Sequence, residues 1–171
     1  MSKKIAYIGI FAGIAIAAGI FERGLPAIVP VPGIKLGLAN IAVIIALYTL
    51  GEKTAIAVSL IRIFIIGFLF SGPMGIIYSL SGGVLSFFAM LLAAKSQIFG
   101  VIGVSVLGAF FHSLGQIAIA ALLIQSAGIF SYMAILGVSS AVTGAVMGLI
   151  SGVTLKHLQN IPFTGRNALL K

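Results

Sequence analysis

The sequence predicts an all-α, polytopic membrane protein with six transmembrane helices, and three observations carry that prediction. Apolar residues make up 61% of the 171 and charged residues only 7%, whereas a soluble domain needs about 25% charged residues to cover its surface. The mean hydropathy is +1.29. Apolar stretches of crossing length recur six times, a helix needing about 20 residues to traverse a hydrocarbon layer about 30 Å thick. A soluble chain of 17.6 kDa could bury a core but could not also hide this much apolar side chain.

Taken in order, the expected spans lie at about 4–22, 36–51, 53–71, 74–94, 98–124 and 130–155, with a cytoplasmic tail at about 156–171. Together they form one integral membrane domain over 1–171. The first follows a basic start, and its apolar run from Ile5 to Phe21 meets Glu22 and Arg23 without a clear cleavage site. It is therefore read as a retained helix rather than a signal peptide. The second is short and follows Pro26, Pro30, Pro32 and Gly33, which cannot be regular helix and predict an extended or partly re-entrant segment. Backbone of that kind at membrane depth must lie against protein or water. The turns expected at 71–73 and 125–129 carry no charge.

Charge sets the orientation. Net charge is +8, yet the Lys and Arg residues are scattered singly, so the excess reads as topology rather than a nucleic-acid footprint. With the N-terminus inside, Lys3, Lys4, Lys53, Lys95, Lys156, Arg166 and Lys171 all fall on the cytoplasmic side. Both termini are thus expected in the cytoplasm. Arg23 and Lys35 break the pattern and require another explanation.

Small residues recur every four positions at Gly9, Gly13 and Ala17 and again at Gly144, Gly148 and Gly152. Such stripes allow close helix contact, either inside the bundle or against a partner. Among polar residues within spans, Arg62 stands near the midplane, where an arginine is costly unless it faces a cavity or partner. It either binds a ligand or locks the bundle by bonding helix carbonyls. His112 and Gln116 are four apart and share one helix face, as ligands or as an internally satisfied pair. Asn40 and Tyr78 can line the same volume, with Ser139, Ser140 and Thr143, although helical hydroxyls can also satisfy themselves on the preceding turn. Lys35 stands where a cation opposes the helix macrodipole. With Arg23 and Arg62 it could form a cationic path for an anionic solute; the alternative is snorkelling into headgroups.

The residue inventory also limits the chemistry. Glu22 and Glu52 are the only carboxylate side chains, and there is no cysteine. A diphosphate-metal cluster of acidic residues cannot be assembled from two carboxylates at opposite membrane ends. No GxxxxGK[ST] loop and no HExxH occur, so neither P-loop hydrolysis nor a zinc-peptidase site is expected. The chain is read as a non-enzyme with no catalytic residues, no metal and no cofactor of its own.

The segment PGIKLGLANI at 32–41, the six-span layout over about 5–156 and the small-residue face at Gly9, Gly13 and Ala17 carry a resemblance. The chain resembles the Gx transporter family, often labelled heptaprenyl diphosphate synthase component I, and more broadly the S components of energy-coupling factor (ECF) transporters. That likeness implies an S-component-like bundle in a bacterial or archaeal cytoplasmic membrane. It further implies import of an anionic micronutrient or isoprenoid-related precursor, a T transmembrane subunit docking on Gly9, Gly13 and Ala17, and two partner ATPase subunits using ATP. The alternative is a membrane scaffold or component of isoprenoid-quinone biosynthesis.

Overall fold

The computed structural model describes residues 2–25 and 36–158, and all regular structure among them is helical. Helix α1 spans Ser2–Gly24 and α2 Leu38–Thr49. Helix α3 spans Glu52–Ile66, and a π-helical turn at Gly67–Ser71 leads into α4 at Gly72–Ser96. Helix α5 is Val101–Ile124; a 3₁₀ turn at Ala127–Tyr132 precedes α6 at Met133–Leu158. The prolines and lysine of 26–35, and the tail from 159 onward, lie outside the described residues.

The expectation of six spanning helices is corrected. Four segments are long and apolar enough to cross a membrane, namely Lys4–Gly24, Glu52–Ser96, Val101–Ile124 and Gly128–Leu158. Two physical reasons account for the difference. Helix α2 has 12 residues, about 18 Å of rise against a layer of about 30 Å. No loop residues separate α3 from α4 at the uncharged stretch expected to divide two spans at 71–73: the π turn and α4 follow directly, so Glu52–Ser96 counts as one 45-residue apolar segment, and with α2 the apolar segments number five among the described residues. These long apolar helices, with Phe21, Phe68, Leu92, Leu122 and Val138 exposed on their outer faces, are consistent with a multi-pass membrane protein.

Within that segment α3 and α4 nevertheless fold back on each other. Gly72, at φ 66°, makes the reversal possible, and Pro73 follows in the first turn of α4, where a missing N–H is harmless. Near the far end of the pair the Lys95 ammonium meets the Glu52 carboxylate at 2.7 Å, both side chains about half exposed. Exposed pairs contribute little. Glu52→Gln is therefore expected to leave the unfolding midpoint close to that of the wild type, with any difference vanishing in high salt; detergent-phase unfolding curves at two ionic strengths check this.

Helix α2 sits at the centre. Residues 42–50 are all buried, so the helix is apolar all round because it is covered all round. Phe11 and Ala15 of α1, Ala55 and Val58 of α3, Phe87 and Met90 of α4, Val104 of α5 and Leu155 of α6 belong to the same core cluster. This solid half of the bundle also carries the ends with Lys4, Lys53, Lys95 and Lys156. The opposite half is more open.

Close crossings hold the long helices together. A Cβ on Gly115 would lie 2.8 Å from the Ser81 carbonyl oxygen, and one on Gly148 would lie 2.7 Å from the Ile102 Cα. Gly144 and Gly148 thus seat α6 on α5, whereas Gly152 meets nothing within 4 Å. The α1 stripe behaves differently. Gly9 and Gly13 have nothing within 4 Å, and with Ala17 they are exposed; this face serves no packing among the described residues.

Candidate functional site

A cavity of about 320 Å³ lies in the open half, between the end of α1, the start of α2 and the facing parts of α3, α4, α5 and α6. Of the residues singled out from sequence, Arg23, Asn40, Arg62, His112 and Gln116 all line it. Tyr78 is not among its lining residues, and Lys35 lies outside the described residues. Ser139, Ser140 and Thr143 reach its wall from α6.

Arg62 stands ten residues beyond Glu52 on α3, about 15 Å along the axis and hence near the middle of a hydrocarbon layer. The residue is half-buried at the cavity wall and feels Glu22 electrostatically. Among the described residues, however, the ion pair formed is Glu52 with Lys95; no carboxylate stands within ion-pair distance of Arg62.

The reason is that Glu22 is committed elsewhere. Its Oε1 accepts the Gly37 N–H at 2.9 Å and its Oε2 the Leu38 N–H at 3.0 Å. Helix α2 begins after Gly37, at φ 80°, without a side-chain cap from its own segment. Its orphan N–H groups therefore need an acceptor, and a carboxylate there also complements the positive helix end. Sequence reasoning passed over Glu22 as a site residue. The available signal was a helix start flanked by Gly37 with no Ser, Thr, Asp or Asn beside it, and one acid nearby in the chain.

Arg23, next to Glu22, is held at the cavity's edge. Its Nη2 donates to Ser71 Oγ at 2.6 Å, and its guanidinium lies 5.6 Å from the centroid of the Phe70 ring, a cation–π distance. The π turn thereby clasps the end of α1. On the far wall, His112 and Gln116 lie over Gly82: a Cβ there would stand 3.1 Å from His112 Cε1 and 3.0 Å from Gln116 Cγ. Gly82 is thus what leaves these two side chains room against α4.

The hydroxyls are mostly satisfied within the bundle. Ser113 and Ser140 share a 2.6 Å hydrogen bond between α5 and α6. Ser139 donates to the Ile135 carbonyl, and Thr143 to those of Ser139 and Ser140. They shape and polarise the wall while Arg62 supplies its unmatched charge. The arrangement can bind an anion. A metal would need a cluster of at least three His, Asp or Glu side chains, and none is gathered among the described residues.

No curated protein and no solved structure matches this chain. The model of one family does, over residues 11–154, and that family is described as heptaprenyl diphosphate synthase component I. This assignment corrects the resemblance drawn from PGIKLGLANI: the family is not that of Gx transporters or of ECF S components. The reading as substrate-binding component of an ECF transporter falls with it, and the alternative, a component of isoprenoid-quinone biosynthesis, is the better supported. With most of its length matched, the chain belongs to the heptaprenyl diphosphate synthase component I family.

Proposed function

We propose that this chain is a non-catalytic membrane component of prenyl diphosphate synthesis, whose cavity holds the anionic head of an isoprenoid amphiphile while the condensation chemistry belongs to a soluble partner. The observation that carries the reading is Arg62: a half-buried guanidinium at a cavity near mid-membrane depth, with no carboxylate at ion-pair distance among the described residues. A charge so placed is costly unless something answers it, and a bound anion does so. The family supplies the isoprenoid class. Assigning the chemistry to a partner follows from the sequence, whose two acidic side chains are too few to hold magnesium around a diphosphate.

In this reading the termini are cytoplasmic, because Lys4, Lys53, Lys95 and Lys156 then obey the positive-inside rule. The lysine-bearing end faces the soluble partner. The cavity lies in the other half, behind the packed core around α2, and is a holding site within the membrane rather than part of the condensation centre.

Affinity capture of the detergent-solubilised protein from its native membranes provides the test. Prenyl diphosphate synthase activity is expected to stay on the matrix, and extraction of the captured protein is expected to release an anionic isoprenoid. Capture of intact protein with neither activity nor isoprenoid would overturn the proposal.

A further inference from the structure

The helices around the cavity contact one another in a ring: α2 meets α3, α3 meets α4, α4 meets α5, α5 meets α6, and α6 returns to α2. Arg62 lines the cavity from α3, Asn40 from the start of α2, and Gln116 from α5 on the other side of the ring. Two close approaches set their relative positions. A side chain on Gly19 would meet Ile66 Cδ1 and Ala39 Cβ, so the start of α2 lies beside the turn of α3 that follows Arg62. On α4, Gln116 packs over Gly82 and Ile63 Cδ1 over Gly83. Gln116 and the Arg62–Ile63 stretch therefore flank the same turn of α4.

Two carboxamides of this wall are left for a ligand. Ser113 and Ser140 bond each other, and Ser139 and Thr143 bond carbonyls of their own helix. By contrast, the half-buried side chains of Asn40 and Gln116 form no hydrogen bond among the described residues. What they can recognise depends on the shape of the anion at Arg62. A planar carboxylate can place both of its oxygens on one guanidinium fork. It then offers little to donors on other walls. A phosphoryl head presents three acceptor oxygens in a tetrahedral arrangement, so one stays directed away from the fork.

We infer that Asn40 and Gln116 determine specificity for the head: with Arg62 they select a phosphoryl group over a carboxylate, each donating a side-chain N–H to an oxygen that the guanidinium leaves free. Hydrogen bonds to a charged oxygen are the stronger kind, so two neutral donors suffice to discriminate. The inference rests on the anionic isoprenoid reading above and names the head that the cavity takes.

Calorimetric titration of the purified full-length protein in detergent and EDTA tests it, with farnesyl monophosphate, farnesoate and uncharged farnesol as probes. The wild type is expected to bind the phosphate at least about tenfold tighter than the carboxylate. Because the phosphate also carries more charge, the deciding readout is how that ratio changes in neutral-for-neutral variants. Gln116→Met keeps the length and the unbranched Cγ that lies over Gly82, and Asn40→Leu keeps the shape. Each should lower the ratio by about fivefold or more through lost phosphate affinity, with farnesoate binding nearly unchanged. Equal wild-type affinity for the two anions, or an unchanged ratio in whichever variant folds, would overturn the assignment while leaving anionic isoprenoid binding intact. Absence of binding to either anion, with the wild type folded, would remove the underlying reading as well.

Discussion

Arg62→Gln is expected to lower affinity for an anionic isoprenoid probe by about two orders of magnitude while leaving the protein at least as stable as before. Truncating one side of a desolvated, hydrogen-bonded charge pair costs about 2–5 kcal/mol of binding, and each factor of ten corresponds to about 1.4 kcal/mol. The stability half of the prediction separates ligand binding from bundle locking. Removing one member of a buried ion pair usually destabilises, because a charge is left stranded. Here no carboxylate is at pairing distance to be stranded, since Glu22 remains on the N–H groups of Gly37 and Leu38. Arg62→Lys should bind with intermediate affinity, keeping the charge but losing the planar fork. Titrations and thermal unfolding on the same preparations provide both readouts. A large fall in unfolding temperature with unchanged affinity would make Arg62 a structural lock and not a ligand group.

Gly115→Ala is expected to give one of the largest losses of stability among single methyl additions. Its Cβ would stand 2.8 Å from the Ser81 carbonyl oxygen and 2.9 Å from the Gly82 Cα. Both neighbours are backbone, so no side chain can turn aside, and α4 and α5 must separate. Overpacking of this kind typically costs about 1–3 kcal/mol. Displacement of α4 also moves Gly82 from beneath His112 and Gln116, so weaker probe binding should accompany the stability loss. Gly148→Ala, with its Cβ 2.7 Å from the Ile102 Cα, should act likewise at the α5–α6 crossing. Gly13→Ala is the contrast: nothing lies within 4 Å, and its unfolding temperature should match the wild type. Equal behaviour of Gly13→Ala and Gly115→Ala would mean that the α4–α5 crossing is looser than described.

The two variants draw on features of unequal legibility. Arg62 was conspicuous in sequence because a permanent charge interrupts an apolar run, and His112 with Gln116 followed from a spacing of four on a helix. Both readings depend only on local geometry, and the fold brings these residues to one cavity. The all-helical, membrane-spanning character was equally plain from composition. The number of crossings was not. A ruler of about 20 residues expects a loop between two spans within 52–96, whereas the π turn joins α3 directly to α4 and leaves one 45-residue apolar segment; the same ruler makes a span of α2, whose 12 residues are long enough only for a core helix. Glu22 was hidden for a different reason. Its partners lie 15 and 16 residues ahead, on the far side of a proline-rich segment, and no periodic pattern relates an acceptor to a donor across such a distance. The small-residue stripes also read alike, although α6 uses Gly144 and Gly148 against α5 and α1 leaves Gly9 and Gly13 exposed.

The burial of α2 bears on how the protein is made. Membrane helices are commonly pictured as inserting one by one, each stable in lipid alone, before they associate. At about 18 Å, α2 is too short to exist in that way: by itself it would leave either headgroups or backbone ends inside the hydrocarbon. What shields it is other helices, including α5 and α6, which are synthesised after it. Its lodging in the bilayer is therefore a late, cooperative event, and a nascent chain released before those helices emerge would present α2 as an unassembled segment to the quality-control proteases of the membrane.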